Sequence, residues 1–428
     1  MCQAYRMTAN GLGARYWKLW TSAGLSNLAD GAMKVALPLV AIRYTDSPAL
    51  IAGLGFAFTL PWLLFALTAG ALADRIDRRR LMLVANAARA LFLACLTVVT
   101  ILGGGSIWLL YVAALCIGIA ETVYDTSSQS ILPQLVPRDR LSRANGRLYA
   151  AELTANQFVG PPLGGFLVAI GVGFAFGTPA LLWVAAIGVL LLVRGRYTAE
   201  RTGTTTIRAD IAEGLRFLGG STLLRTLAIM VGVFNFASSA VFTVFVLYAA
   251  GPNSVMKLSD PAYGLLLTFS AIGSVLGTFL AEPAERLLGR SRALALTVVG
   301  SLLTVATPGF TANPFIIGAG MLLGGITVSV WNVITVSLRQ RITPTRLLGR
   351  LNSAYRLLAW GTMPLGAAAG GLLGQVFGVQ WVFIVMGALV VLQLIPMIWI
   401  TDRRMDAAEA QIDAAEGAQT SAEPAPGR

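Results

Sequence analysis

Long apolar runs dominate the chain, and short segments between them hold most of its charge. A run of about 20 apolar residues can cross the hydrocarbon core of a bilayer as a helix. Only helices and closed barrels satisfy the backbone in lipid, and runs this long, rich in Leu, Ala and Gly, predict helices. The pattern predicts twelve spans, at roughly 17–42, 49–72, 81–103, 107–132, 146–170, 173–193, 224–250, 262–281, 293–309, 314–337, 353–377 and 380–400.

The composition agrees with this pattern. The 428 residues are 56% hydrophobic and 12% charged, whereas soluble domains carry roughly 25% charged residues. We therefore expect an all-α, multi-pass membrane protein whose main solvent is lipid.

The net charge of +12 is distributed according to membrane topology. Apart from Arg43, Lys257, Lys34 and Arg89, the Lys and Arg fall at the N-terminus, in every second loop or in the C-terminal tail. This alternation follows the positive-inside rule and predicts that both termini are cytoplasmic. We expect no nucleic acid among the partners.

The second half of the chain repeats the first. Residues 137–145, PRDRLSRAN, align with residues 344–352, PTRLLGRLN, and share Pro, Leu, Arg and Asn in register. Parallel repeats of six helices are a transporter architecture, with the substrate site between the halves. We expect a bundle at 1–194, a cytoplasmic linker with an amphipathic helix at 195–222, a bundle at 223–401 and a disordered tail at 402–428.

The loop between the second and third spans is unusually charged. Residues 70–80 read GALADRIDRRR, which resembles the signature loop of the major facilitator superfamily. The match falls on Gly70, Leu72, Ala73, Asp74, Arg75, Arg78 and Arg79. The resemblance implies two pseudo-symmetric six-helix bundles, and a gate network of Asp74 and the arginines. Asp77 stands where the family usually has Gly, so the turn must form without glycine's freedom.

The fifth span carries a second motif. NQFVGPPLGG at 156–165 resembles the antiporter motif of drug-exporting members, with matches at Gly160, Pro161, Gly164 and Gly165. The alternative is a packing kink, since proline bends helices and glycine admits close neighbours. SNLADG, ETVYDTSSQSILPQLVP and IAEGLRFL resemble the macrolide-efflux and enterobactin-exporter group.

Ionisable residues inside a membrane are costly and point to function. Asp30 and Lys34 share a face of the first helix and are spaced to neutralise each other. Glu121 and Asp125 share a face of the fourth, where two adjacent carboxylates cannot both ionise cheaply. These three acids are the candidates for proton coupling. The competing hypothesis makes them structural ion pairs with Lys34 and Arg89.

The corresponding spans of the second half hold no acid, so we expect that half to shape the substrate. Its polar and aromatic candidates are Phe234, Asn235, Phe242, Trp331, Asn332, Tyr355 and Trp360. With Lys34 and Arg89 of the first half, Asn235, Trp331, Asn332 and Tyr355 are the candidate cavity residues.

These observations predict a secondary transporter that exports hydrophobic or amphipathic small molecules by proton antiport. A dedicated exporter of one metabolite, a proton-coupled importer and a non-transporting sensor remain alternatives. Histidine is absent, and no phosphate-binding loop or nucleophile–base pair occurs, so we expect no enzyme, cofactor or metal site. The resemblance implies a monomer in the bacterial cytoplasmic membrane, with the lipid bilayer, a small-molecule substrate and protons as its partners.

Overall fold

The computed structural model describes residues 12–137, 140–198, 207–344 and 347–422, and almost all of them are helical. The first helices are α1 Ala14–Ala41, α2 Pro48–Arg75, α3 Arg78–Ile101, α4 Ile107–Leu135, α5 Leu141–Leu153, α6 Gly160–Ile170 and α7 Val172–Leu191. A π-helical turn, Thr154–Val159, joins α5 to α6. The helices that follow are α8 Ile207–Gly220, α9 Thr222–Ala249, α10 Asp260–Leu288, α11 Arg290–Ala306, α12 Pro314–Arg341, α13 Leu348–Phe377, α14 Val379–Val391, α15 Leu394–Met397 and α16 Asp402–Ala422.

The fold class is confirmed as all-α. Within the described ranges, β pairing is limited to one isolated bridge between Ala250 and Leu258. Helix starts follow local capping chemistry, in which a short polar side chain accepts from a free N–H of the first turn. The Ser47 hydroxyl accepts from the backbone N–H of Leu50 at 3.4 Å before α2. The Asn313 side chain accepts from Phe315 at 2.9 Å before α12.

Ten helices in the described part of the chain are long and apolar enough to cross a membrane. The predicted first and fifth spans are also helical but are not among the ten. In α1, the polar residues Asn27, Asp30 and Lys34 lower the mean hydropathy. The fifth span is divided by the π-helical turn. Multi-pass character is therefore shown, and the number twelve stays a prediction.

The chain divides into two compact units, which we call the first and second units. The first comprises the described residues of Met1–Gly203, Phe242–Ala271 and Ala367–Val379. The second comprises those of Thr204–Val241, Ile272–Gly366 and Gln380–Arg428. These units follow spatial contacts and cut through α9, α10 and α13, so the predicted bundles at 1–194 and 223–401 remain predictions.

The first unit has a continuous buried core where α1, α4 and α7 meet. Tyr16, Leu19, Tyr124 and Leu190 are almost completely buried in it. The Tyr16 hydroxyl donates to the carbonyl of Ala144 at 3.0 Å. This hydrogen bond ties α1 to α5 at a point where a buried hydroxyl needs a partner.

The C-terminal segment differs from the predicted disordered tail. Asp402–Ala422 is a helix, and residues 423–428 lie outside the described part. Arg290 at the start of α11 pairs with both Asp406 and Glu409 of α16, and Met405 is fully buried. The Ala- and Glu-rich composition that suggested disorder also favours helix, and these contacts give the helix a place to dock.

Candidate functional site

Asp30 and Arg89 form a buried ion pair at the centre of the first unit. The Arg89 Nη1 donates to both carboxylate oxygens of Asp30, at 3.0 and 3.2 Å. The Asp30 side chain is 2% exposed and the Arg89 side chain is 0% exposed. The spacing along α1 favours Lys34 as the partner of Asp30, and the competing hypothesis also names Arg89; the structure pairs Asp30 with Arg89 of α3.

Aromatic rings enclose the rest of the Arg89 guanidinium. Its central carbon lies 5.3 Å from the centre of the Tyr124 ring and 5.5 Å from that of Trp183. Both distances fall within the range of cation–π attraction. The Arg89 Nε and Nη2 have no hydrogen-bond partner among the described residues. The Arg89 side chain is fully buried, and its Nη1 is directed at Asp30.

Lys34 belongs to a second polar group beside this pair. Its Nζ donates to the Asn156 Oδ1 at 2.9 Å and lies 4.0 Å from the Glu121 Oε1. The Asn156 amide in turn donates to the Asn27 Oδ1 at 3.3 Å. The Lys34 side chain is 43% exposed, whereas that of Glu121 is 7% exposed. A solvent-accessible cation thus adjoins a buried carboxylate.

The structure brings the candidate acids together. Glu121 and Asp125 are one turn apart on α4, and Glu121 lies 4.0 Å from Lys34, which is one turn from Asp30 on α1. The Glu121 Oε2 is buried without a hydrogen-bond partner among the described residues. A buried carboxylate oxygen that lacks a donor is costly when it is charged.

The motif of the fifth span lies directly against α1. A Cβ atom on Gly164 would overlap the Ala32 carbonyl oxygen, and one on Gly160 would come 2.6 Å from the Cα of Gly31. Pro161 and Pro162 lack backbone donors, and the π-helical turn lies immediately before them. The same turn contains Asn156, so the bend and the polar contact to Lys34 occur together.

The charged loop is organised by Asp77, the residue that departs from the family pattern. Its Oδ1 accepts from the backbone N–H of Arg80 at 3.1 Å and caps α3. Its Oδ2 accepts from the N–H of Tyr197 at 2.8 Å. The backbone φ of Asp77 is −57°, which lies outside the left-handed region that favours glycine. The loop therefore forms without glycine.

Two of the predicted gate arginines bind backbone carbonyls. Arg78 donates to the Ser130 carbonyl at 2.7 Å, and Arg79 donates to those of Leu190 and Leu191 at 3.1 and 2.9 Å. The carbonyls at the end of α7 carry the negative end of its dipole, which favours a cation. Arg75 is exposed. Gly70 and Asp74 lie in α2, but their contacts fall outside the described part.

The second unit contains a cavity of about 250 Å³ that includes most of the predicted substrate residues. Phe234, Asn235, Trp331, Asn332, Tyr355 and Trp360 line it, and Phe242 does not. Arg339, Arg356 and Gln393 also line it, and the sequence pattern did not single them out. The two arginines are basic residues that interrupt apolar helices, but the inner-loop charge bias hides them, and Gln393 carries no charge that would mark it.

Sequence reasoning also missed the polar neighbours of the ion pair. The Ser26 hydroxyl donates to the Asn86 Oδ1 at 3.1 Å and lies 3.4 Å from the Arg89 Nη1. Small polar residues within apolar spans are common in helix packing, so their pattern alone does not mark them.

Comparisons with known proteins identify a family and two relatives. The sequence model of the family described as transmembrane secretion effector matches residues 14–423. The chain is 27% identical over 385 residues to the multidrug efflux pump Tap of Mycolicibacterium fortuitum, covering 85% of this chain and 90% of that protein. It is 26% identical over 355 residues to the enterobactin exporter EntS of Salmonella typhi, covering 82% and 83%.

Solved structures share the fold at low identity. A bacterial homologue of the iron transporter ferroportin, in an inward-facing state, superposes with a TM-score of 0.73 at 17% identity, covering 90% of this chain and 98% of that one. The nucleoside transporter NupG gives a TM-score of 0.70 at 13% identity, with coverage of 90% and 98%. At these identities the likeness establishes the fold alone.

Proposed function

This chain belongs to the transmembrane secretion effector family of the major facilitator superfamily, and from that premise we propose that it exports hydrophobic or amphipathic small molecules in exchange for protons. The direction of transport is supported by the names of two relatives, an efflux pump and an exporter. The bacterial relatives also support a place in the bacterial cytoplasmic membrane. The alternating charge of the loops supports a topology with both termini inside. The proposed partners are lipid, protons and a small-molecule substrate, and the working unit is a monomer.

The observation that carries the coupling proposal is the environment of Glu121. Its carboxylate is buried, has one oxygen without a donor, and lies 4.0 Å from the half-exposed Lys34. Asp125 lies one helical turn further along α4. We propose that Glu121 exchanges the coupling proton and that the Lys34 ammonium stabilises its ionised form.

Asp30 has a different role in this proposal. The bond from Arg89 to both its oxygens favours the ionised carboxylate, and the pair anchors α1 to α3.

Alternating access requires one side of the transporter to close while the other opens. We call the end of the first unit where α1 ends and α2 begins the Arg43 end. There the Arg43 Nη2 lies 3.0 Å from the Asp260 Oδ2, and Ser47 donates to the Gln375 Oε1 at 2.7 Å. We assign these contacts to an outer gate, which must separate when substrate leaves.

The experiment compares dye and macrolide accumulation in a pump-deficient bacterial host, with and without a protonophore, for the intact protein and for Glu121→Gln. We expect expression to lower accumulation and the protonophore to restore it. At equal expression, cells that produce E121Q should accumulate as much dye and macrolide as the empty host. Glu282→Gln is the matched control, because Glu282 is 70% exposed on α10, and it should export normally.

The two parts of the proposal can fail separately. If E121Q exports as well as E282Q, Glu121 does not carry the proton. If no compound in the panel is exported, the broad export function is wrong.

The second candidate is a dedicated exporter of a single metabolite. The similarity to EntS, whose name gives one substrate, favours it. A host panel that yields export of a siderophore or antibiotic, with no dye transport, would select this candidate.

A further inference from the structure

The cavity of the second unit has a chemical asymmetry that the export proposal does not use. It is bounded by α9, α11, α12 and α13, and by Gln393 next to α15. Its volume of about 250 Å³ is just below the ~300–1,000 Å³ of sites for drug-sized ligands. It therefore has room for one aromatic ring with a polar substituent.

Three residues that line this cavity each carry a buried N–H group with no hydrogen-bond partner among the described residues. These groups are the Trp331 Nε1, the Arg339 Nε and the Gln393 Nε2. Gln393 is only 7% exposed. Buried donors are almost always paired, and leaving them unpaired is costly. Three orphan donors on residues that line one cavity indicate an acceptor-bearing ligand.

The charge of the lining has a single sign. Arg339 and Arg356 both line the cavity, and the lining includes no Asp or Glu. The Arg339 guanidinium lies over the Tyr355 ring, 4.1 Å from its centre. Within the described residues, no carboxylate pairs with Arg339. A cation that is half-buried without a counter-ion favours an anion.

Aromatic side chains form part of the remaining wall. Phe234, Trp331 and Trp360 place aromatic rings around the same space. The ligand must therefore combine a hydrophobic body with an anionic group.

We propose that this cavity binds the anionic, acceptor-bearing group of an amphipathic molecule, with Arg339, Gln393 and Trp331 as its donors. The inference rests on the proposed function, since it specifies an acidic aromatic substrate class for the exporter. An anionic lipid headgroup presents the same chemistry, so the experiment must separate the two sources.

The test measures binding of radiolabelled benzoate to the full-length protein in phosphatidylcholine nanodiscs by scintillation proximity. Unlabelled benzoate should displace the label, and the neutral benzamide should require a concentration about tenfold higher or more, as expected for loss of a charged hydrogen bond. Arg339→Gln should weaken benzoate binding by a similar factor. Trp331→Phe keeps a ring but removes the donor, and should weaken binding several-fold.

Arg341→Gln is the matched control. Arg341 lies two residues further along α12, is 60% exposed and is not part of the cavity lining, so R341Q should bind benzoate normally. Size-exclusion profiles verify that each variant is folded. Equal displacement by benzoate and benzamide, or normal binding by both R339Q and W331F, overturns the inference.

A second arm adds phosphatidylglycerol to the nanodiscs and measures retained lipid by native mass spectrometry. Loss of benzoate binding, with phosphatidylglycerol retained by the intact protein and not by R339Q, would identify a lipid headgroup as the anion. Benzoate binding without dye or macrolide export would support the anion site and contradict broad export. Dye or macrolide export without benzoate binding would support broad export and contradict the anion site.

Discussion

The Arg89 guanidinium donates to both oxygens of the Asp30 carboxylate, at 3.0 and 3.2 Å, within the interior of the first unit. The two residues lie on helices that the sequence alone does not place together. The Arg89 and Asp30 side chains are 0% and 2% exposed. Water therefore cannot solvate either one when the other is removed.

The first prediction follows from this burial. Arg89→Gln should lower the free energy of unfolding by about 3–5 kcal/mol, because it leaves a buried carboxylate without its cation. Adding Asp30→Asn to R89Q should recover part of the loss. Thermal unfolding in detergent measures both effects.

Arg80→Gln is the control for this prediction. Arg80 lies at the start of the same helix and is exposed, so its removal should change stability little. If R89Q unfolds at the same temperature as R80Q, the buried pair does not stabilise the fold.

The second prediction concerns the substitution of Asp for the family's glycine in the charged loop. Asp77→Gly should destabilise the protein by about 1–3 kcal/mol, because the N–H groups of Arg80 and Tyr197 both lose their acceptor. Asp77→Asn keeps one acceptor oxygen and should lose less. Unfolding of D77G at the temperature of the intact protein would show that the loop does not depend on this side chain.

The third prediction tests the contact between α1 and α6. Gly164→Ala should cost about 1–3 kcal/mol, because its methyl group would overlap the Ala32 carbonyl and force the helices apart. Gly146→Ala is the control, since nothing lies within 4 Å of a Cβ at Gly146. G146A should be neutral or stabilising by up to ~1 kcal/mol, as expected for helix propensity.

Export assays on the same pair would extend this test. G164A should export more slowly, whereas G146A should export normally. Equal stability and equal export by the two variants would contradict a role for close packing at Gly164.

The fourth prediction addresses the Arg43 end. Arg43 and Asp260 are 42% and 22% exposed in their ion pair, and an exposed pair is worth up to ~1 kcal/mol, or about fivefold in an equilibrium. Arg43→Asp should therefore open this end more often. The combined exchange of Arg43→Asp and Asp260→Arg should restore closure.

A single reporter cysteine can measure this opening. Ala52 is 1% exposed and faces Gly371, so Ala52→Cys in a protein with its native cysteines replaced should react slowly with an impermeant maleimide. The labelling rate should rise several-fold with R43D and fall again in the charge exchange. Identical labelling rates in A52C alone, in A52C with R43D and in A52C with the charge exchange would show that the ion pair does not gate this end.

The apolar runs predicted the helical segments well, because lipid solvation and backbone satisfaction constrain each span locally. Asn313 and Pro314, for example, mark the start of α12 as expected for a cap and a first-turn proline. The fifth span was less predictable. A π-helical turn depends on how α5 and α6 meet α1, which the apolar pattern does not record.

The candidate acids and their basic partners, Lys34 and Arg89, were predictable, but which acid pairs with which base was not. Spacing along α1 suggested Lys34 as the partner of Asp30, whereas tertiary packing supplies Arg89 from α3 and directs Lys34 toward Asn156. Local spacing says which residues share a face. It does not say which neighbouring helix that face meets.

The π-helical turn at Thr154–Val159 has a consequence for insertions and deletions. Its hydrogen-bonded rings enclose one residue more than those of an α-helix, so the fifth span contains a spare residue between Glu152 and Gly160. Removing one residue there would let a regular helix form, and α5 and α6 would keep nearly the same relative orientation because the widened turn absorbs the extra residue. Relatives that are one residue shorter at this point would thus keep the same contact between α6 and α1.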